Sequence, residues 1–273
     1  MSAPHERLVY PLNVRLSVVI ITHNEEGNIG RTLKSVEPLV RNGVGEIILV
    51  DSGSTDRTVE IAKSFGAKVF EECWKGFAAQ KNSAIEKATG DWILSLDADE
   101  ELDSDLQQSL ADTLGKPEEV SGFWISRKNF FLGRWIRRGG FFPDPKLRFF
   151  RRGTGYFENR TVHETLKVEG RTGKVRHGAL LHHAYPTITS YIDHMNRYSS
   201  LGAQMAIEKG QGRFSWLNIV LRPAATFAYN YIFRLGFLDG REGLLLHLYH
   251  AVYVSWKYAK AWELARTTKY ELG

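Results

Sequence analysis

The first hundred residues alternate short apolar runs with stretches of helical periodicity, the order that builds βαβ units around a mainly parallel sheet. Leu16 to Thr22 (LSVVIIT) is continuously apolar, as a strand covered on both faces requires. A helix is predicted from about Glu26 to Val40 and a second strand over Glu46 to Asp51. The stretch SGSTDRTVEIAKSFG predicts a second helix, with Ser54 as its cap and Gly66 as its stop. Ala67 to Glu71 reads as a third strand and Phe77 to Ala88 as a helix ended by Gly90. Trp92 to Leu96 follows as a fourth strand that runs into Asp97-Ala98-Asp99. Ligands of such open sheets bind beyond the carboxyl ends of the strands, where Asn24, Asp51 and Asp97 fall.

Beyond Pro117 the text turns basic, aromatic and β-rich (GFWISRKNFFLG, then KLRFFRR), which predicts an antiparallel addition to the same sheet. From Pro186 onward the pattern is helical: one run ends at Gly210, one is interrupted by Pro223, and one extends from about Arg241 to Ala265. The expected fold class is α/β, a Rossmann-like core with a mainly parallel mixed sheet and a C-terminal helical extension. Its expected division is a catalytic domain over residues 1–185 and the extension over 186–273.

Composition narrows the class. With 273 residues, 43% hydrophobic and 25% charged, the chain can bury a substantial core and is neither fibrous nor disordered. One cysteine, Cys73, excludes an internal disulfide and a cysteine-rich zinc module. No stretch reaches the roughly 18 to 20 uncharged apolar residues of a membrane span, and the N-terminal text lacks the apolar core of a secretory signal. A cytoplasmic location is the expectation. The net charge of +5 hides an asymmetry: residues 1–120 carry 12 Lys and Arg against 21 Asp and Glu, whereas residues 121–180 carry 14 against 4. A basic patch of this kind suits nucleic acid, anionic lipid or a phosphorylated small molecule.

The Asp97–Asp99 pair closes a strand, where two carboxylates can hold Mg²⁺ or Mn²⁺ against a pyrophosphate. The spacing alone is weak, since chance supplies about 0.4 such pairs in a chain with 11 Asp, and a second pair stands at Asp103 and Asp105. That second pair precedes LQQSLADTL, where capping and the helix dipole explain it. Position at a strand end is what singles out the first. Thr22, Asn24 and Glu25 follow the first strand, where they could meet a base or ribose or simply cap the next helix. Asp51 ends the second strand as a candidate ligand, and Ser54 and Asp56 read as structural.

Three strand ends together, VVIITHNEEGNIGRTLKSV, IILVDSGSTDRTVEIAKSFGAKV and AAQKNSAIEKATGDWILSLDADE, resemble the nucleotide-sugar half of the family 2 glycosyltransferases with the A-type glycosyltransferase fold. The resemblance covers residues 16–105 and leaves 106–185 as the acceptor half. PDPKLRFFRR, VHE and HHAYPTITSYIDHMNRYSSLGA resemble the bacterial branch that adds sugars to lipopolysaccharide core or related surface glycans. The resemblance implies that Thr22, Asn24 and Glu25 surround the base, that Asp51 contacts base or ribose with Ser52 beside it, and that Lys81 lies near them. It implies that Asp97 and Asp99 bind the metal, Mg²⁺ or Mn²⁺, with Asp97 also close to ribose. The implied donor is a nucleotide sugar, usually of uridine diphosphate, and the implied acceptor a glycan or a lipid-linked glycan.

Inverting transfer needs a base that takes the proton of the attacking acceptor hydroxyl. Four acids lie in 121–180, and of these Glu164, in Thr161-Val162-His163-Glu164, is the first candidate and Asp144, in a Pro-Asp-Pro turn, the second. Charge on the departing diphosphate calls for cations, and in KLRFFRR strand alternation puts Arg148 on the face opposite Arg151. His183, of the pair His182-His183, is the expected third metal ligand. The aromatic helices of the last 60 residues, with scattered Arg and Lys, have the composition of helices lying in a membrane interface; packing on the core is the alternative. A polyprenyl phosphate sugar synthase is the competing enzyme. A nucleic-acid-binding protein is the reading from a different class; against it, and against a nucleic-acid partner, no reading helix or stacking motif accompanies the basic patch and the acidic first 120 residues offset its charge.

Overall fold

The computed structural model describes residues 14–41, 44–114, 119–158 and 164–271. The chain forms two compact units, one of Met1–Arg127 with Asp144–His182 and one of Lys128–Pro143 with His183–Gly273. This division differs from the one expected. The sequence places 128–143 with the acceptor half, whereas in the structure that stretch packs with residues beyond 183. Side chains distant in sequence decide it: Phe130 stacks on His183 with ring centroids 4.9 Å apart, and Asp239 Oδ2 accepts the N–H groups of Arg137 and Arg138 at 3.1 and 2.8 Å.

The first unit is built on β1 (Leu16–Thr22), β2 (Gly45–Asp51), β3 (Lys68–Glu71) and β4 (Trp92–Asp97), all parallel in the order β3-β2-β1-β4. Helices α1 (Ile29–Val40), α2 (Thr58–Ser64) and α3 (Phe77–Glu86) make the connections. Every residue of β1 is buried, because the strand lies between β2 and β4 with cover on both faces. Alternation divides its side chains: Leu16, Val18 and Ile20 join one apolar cluster with Leu33, Leu94 and Leu96, while Val19 and Ile21 join another with Ile48 and Ile93. Helix α1 contributes Ile29, Leu33, Val36 and Leu39 at helical spacing.

Ser54 does not cap α2. The first helical N–H group, that of Thr58, is accepted by Asp56 Oδ1 at 3.0 Å, and Ser54 is drawn into the turn before it. Gly66, at φ +75°, ends the helix as expected. After a short strand, β5 (Glu100–Leu102), helix α4 (Ser104–Leu114) is started by Asp103, whose Oδ1 accepts Leu106 N–H at 2.9 Å, so the second aspartate pair is structural at that position.

The sheet then turns antiparallel. β6 (Gly122–Phe131) and β8 (Asp144–Arg151) pair with each other, and β8 pairs with β4, which extends the order to β4-β8-β6-β12-β5 with β12 at Leu180–Tyr185. Trp92 on β4 stacks on Phe149 of β8 at 4.6 Å, which ties the two halves of the sheet together. Strands β9 (Gly155–Glu158) and β10 (Thr165–Val168) form a separate hairpin, and β11 (Thr172–Lys174) adds to β6.

In the second unit a two-residue turn at Leu132 and Gly133, both at positive φ, folds β7 (Arg134–Trp135) back on the end of β6. Helix α5 (Ile188–Glu208) opens with a reciprocal cap between Thr187 and Ser190 and packs against the long α7 (Gly240–Glu271). Wide π turns at Leu217–Leu221 and Ala228–Phe233 flank the short α6 (Arg222–Phe227).

One carboxylate fastens the base of the parallel sheet. Glu46 accepts hydrogen bonds from Ser17 Oγ and from Thr89 N and Oγ1, each at 2.7 Å, and meets Lys68 Nζ at 2.7 Å. Burial by itself raises its pKa, but Lys68, Thr89 and Ser17 outweigh burial and bring it from 4.5 down to about 2. Glu72 is lowered likewise to about 2, chiefly by Lys87 and Ser83. A carboxylate lowered in the folded state adds stability that is complete above pH 4.5 and fades as pH falls toward 2. Urea unfolding across that window is therefore expected to show falling stability, with a shallower fall in Glu46→Gln; an equal slope in the variant would exclude Glu46 as a source.

Candidate active site

The carboxyl ends of β1, β2 and β4 gather the residues singled out in the sequence. At the end of β1, Thr22 is 5% exposed and its Oγ1 has no hydrogen-bond partner; the Oγ of Ser52, past the end of β2, is also buried without one. Buried hydroxyls left unpartnered are uncommon. Asn24 stands in the left-handed region at φ +55°, which Asn tolerates. Its N–H donates to Ser54 Oγ at 2.9 Å and its Oδ1 accepts Thr55 N–H at 2.8 Å, so it staples the first loop to the second. Asp51 is 1% exposed and folded into its own turn: Oδ2 accepts Gly53 N–H at 2.9 Å and Ser54 N–H at 2.8 Å, and Oδ1 accepts Ser54 Oγ at 2.5 Å. Glu25 accepts from Asn28 Nδ2 at 2.8 Å. Burial raises the Glu25 pKa, opposed by Asn28 and reinforced by the charges of Asp99, Asp56 and Asp97, so this carboxyl feels the acidic end of β4.

At that end the chain forms a string of alternating charges. Lys81 on α3 is 3% exposed and its Nζ lies 2.7 Å from both Glu164 Oε1 and Asp97 Oδ1. The other oxygen of Asp97 accepts Arg148 Nη2 at 2.5 Å. Arg148 continues to Glu100 Oε1 at 3.2 Å, which also accepts Arg127 Nη1 at 3.0 Å. Arg127 then meets Asp144 Oδ2 through Nε and Nη2 at 2.9 and 2.8 Å, and Lys146 reaches Asp144 Oδ1 at 3.0 Å. Four carboxylates and four cations thus alternate from Glu164 to Lys146. Burial pushes the Asp97 pKa up, but Arg148 and then Lys81 more than reverse it and hold the group well below the usual carboxylate range. Arg148 and Arg127 lose solvation by burial, yet both are raised, Arg148 by Asp97 and Glu100, Arg127 by Glu100 and Asp144.

Strand alternation sorts the arginines of β8. Arg148 is 6% exposed and faces the acids, whereas Arg151 stacks over Trp92 at 4.7 Å and Arg152 Nε donates to Gly90 O at 2.8 Å. The histidine beside the aspartates is His182, whose Nε2 lies 3.2 Å from Asp99 Oδ2. His183, the histidine expected there, has its ring on Phe130, because neighbouring strand residues face opposite sides. Burial raises the Asp99 pKa and Asp97 adds to that, but His182 outweighs them and the net shift is downward. Thr161, Val162 and His163 lie outside the described residues.

Glu100 and Arg127 are site residues that the sequence does not single out, and of the pair His182-His183 it is the first, not the expected second, that reaches the aspartates. Glu100 is fully buried, and besides its two arginines its Oε2 accepts Asp97 N–H at 3.1 Å. The one signal available was its place directly after the Asp-x-Asp. Among the described residues no group of three or more His, Cys, Asp and Glu side chains converges as a complete metal cage. Asp99 with His182 offers a carboxylate and an imidazole, a donor pair that fits a divalent cation whose other ligands come from phosphate oxygens and water.

This mixed sheet, with its acids at the carboxyl end of the parallel half, is the A-type glycosyltransferase fold. Over 91% of the chain it superposes on 87% of the mannosyltransferase PcManGT from Pyrobaculum calidifontis, solved with GDP-Man and Mn²⁺, with a TM-score of 0.54 at 16% identity. It also matches 92% of S. aureus TarS 1-349, solved with UDP-GlcNAc, with a TM-score of 0.51 at 15% identity over 93% of the chain. Residues 17–178 match the sequence profile of glycosyl transferase family 2, and the chain belongs to that family. It is 32% identical to the lipopolysaccharide core biosynthesis glycosyltransferase LpsC of Rhizobium meliloti (strain 1021), over 91% of this chain and 92% of that one. An uncharacterized glycosyltransferase of Rickettsia typhi, RT0209, is 30% identical over 85% of this chain and 81% of its own length. The protein is a nucleotide-sugar glycosyltransferase.

Glu100→Gln removes the charge that Arg127 and Arg148 share in a buried setting. The unfolding free energy in urea is expected to drop by about 3–5 kcal/mol. Tyr156→Ala, at a site 49% exposed, is the control and is expected to change it by less than about 0.5 kcal/mol. A Glu100→Gln loss no larger than the control's would show that the charge string does not support the fold.

Proposed function

We propose that the protein is a metal-dependent inverting transferase that moves a sugar from a nucleoside diphosphate, with uridine the nucleotide the sequence resemblance favours, to an acceptor hydroxyl. The observation that carries this reading is Lys81, whose ammonium lies 2.7 Å from Asp97 at the end of β4 and 2.7 Å from Glu164 of the acceptor half. One buried cation thus couples the carboxylate expected at the nucleotide to the acid expected at the acceptor.

The roles follow from the partners. Glu164 is the base: its side chain is 23% exposed and its carboxylate takes the proton from the acceptor hydroxyl as oxygen attacks the anomeric carbon. Asp144 suits that role less, since Arg127 and Lys146 hold both of its oxygens. Asp99 and His182 would hold the divalent metal, with Asp97 beside them, in place of the His183 assignment. A bound Mg²⁺ or Mn²⁺ would share the charge that builds on the departing diphosphate. Arg148 and Lys81 keep two positive charges at the same corner, fixed before substrate arrives, which lowers the reorganisation needed in the transition state. Thr22 and Ser52 offer buried hydroxyls at the strand ends, and Asn24, Glu25 and Asp51 shape the loop that would receive base and ribose. The relationship to LpsC supports a lipopolysaccharide core or related surface glycan as acceptor.

Slow hydrolysis of uridine and guanosine diphosphate sugars, measured with and without Mn²⁺, tests donor and metal without knowledge of the acceptor. One sugar nucleotide is expected to be cleaved with Mn²⁺, and Asp99→Ala to slow that cleavage about a hundredfold. Cleavage indifferent to both would overturn the metal assignment. Glu164→Gln is expected to cut transfer to a lipopolysaccharide core preparation by about 10²–10⁴ while calorimetry shows nucleotide binding retained. Transfer near the native rate would point to a nucleophile that needs no base, such as a polyprenyl phosphate.

A further inference from the structure

The second unit exposes apolar side chains in one stretch. Among the described residues 20 large hydrophobic side chains are at least 36% exposed, and 13 of them lie between Phe214 and Leu248. Trp216 at 70% and Phe233 at 74% lead them. Leu217, Val220 and Leu221 repeat at helical spacing, as do Tyr229, Ile232 and Phe233, so each trio occupies one helix face. A concentration of exposed apolar surface on this scale marks an interaction surface.

Charge identifies the partner. Arg213, Arg222, Arg234 and Arg241 are all exposed and alternate with the apolar residues. The acid in this stretch, Asp239, is 2% exposed and its Oδ2 is taken by the backbone of Arg137 and Arg138. Between 213 and 241 the surface therefore presents four positive charges and no exposed carboxylate. Arg234 lies over the ring of Tyr229 at 5.7 Å, an aromatic and a cation stacked side by side. No described helix is long and apolar enough to cross a membrane.

We propose that this face of the second unit lies on a membrane surface rich in anionic headgroups, with Trp216, Phe233 and their neighbours among the headgroups and the arginines on lipid phosphates. A second copy of the chain fits worse. A two-fold contact would set eight arginines together with no exposed acid from this stretch to meet them. The inference stands apart from the sugar-transfer reading, since it uses none of the residues at the sheet.

Co-sedimentation of the full chain with vesicles tests it, using phosphatidylcholine alone and phosphatidylcholine with about one third phosphatidylglycerol. Binding is expected to the anionic vesicles, weakening as salt rises. Trp216→Ser with Phe233→Ser is expected to lower partitioning about tenfold or more, and Arg213→Gln about fivefold, with donor hydrolysis and the unfolding midpoint unchanged. Equal sedimentation of native chain and double variant would overturn the proposal. So would a native chain that ignores both vesicles and, by light scattering, forms a dimer that the double variant abolishes.

Discussion

Glu100 is fully buried, and a carboxylate in that position is tolerable only if cations accompany it. Arg127 and Arg148 supply them, and each arginine in turn faces a second acid, Asp144 and Asp97 respectively. The consequence is a chain of charges in which every interior member is held from two sides, ending at Lys81 and Glu164 in one direction and at Lys146 in the other. Such a string specifies geometry more than it adds stability, because each buried ion gives up hydration to join it. What it positions is Asp97. With both oxygens engaged and its N–H donating to Glu100, that carboxylate has one orientation at the end of β4.

The sheet explains why the string can exist. Its parallel half aims strand ends, and so Asp51 and Asp97, at one edge, while the antiparallel strand β8 brings Arg148 against β4 from the other side. Pleating makes this selective. Arg148 turns toward the acids, and Arg151, three residues on, is left to cover Trp92. The same pleat gives Asp99 its neighbour His182 and directs His183 to Phe130. A preorganised cluster of fixed charges suits transfer of a group from an anionic leaving diphosphate, since reorientation of solvent is what a reaction in water must otherwise supply.

The loops beyond β1 and β2 are ordered by local polar exchange. Asp51 holds Gly53 and Ser54, Ser54 and Thr55 hold Asn24, and Asp56 holds Glu26 and Thr58. Residues that read as separate ligands are thus members of one clasp. The shape of the donor pocket therefore depends on the clasp as a whole, and a residue in it can matter for nucleotide binding through its neighbours as well as by direct contact.

The amino-acid sequence by itself determined the βαβ order, the four parallel strands to within a residue or two, and the placement of Asp97 and Asp99 at a strand end, because apolar runs and their periodicity are local signals. It also carried the family, since three strand-end motifs in order are a specific pattern. Tertiary structure decided what depends on pairing between distant strands: that Glu100 and Arg127 join the site, that His182 rather than its neighbour meets Asp99, that Asp144 is enclosed by cations, and that 128–143 packs with the second unit. No window of sequence reports these, for they follow from contacts between segments 17 to 102 residues apart, and within the sheet a shift of one residue would turn every such side chain to the other face.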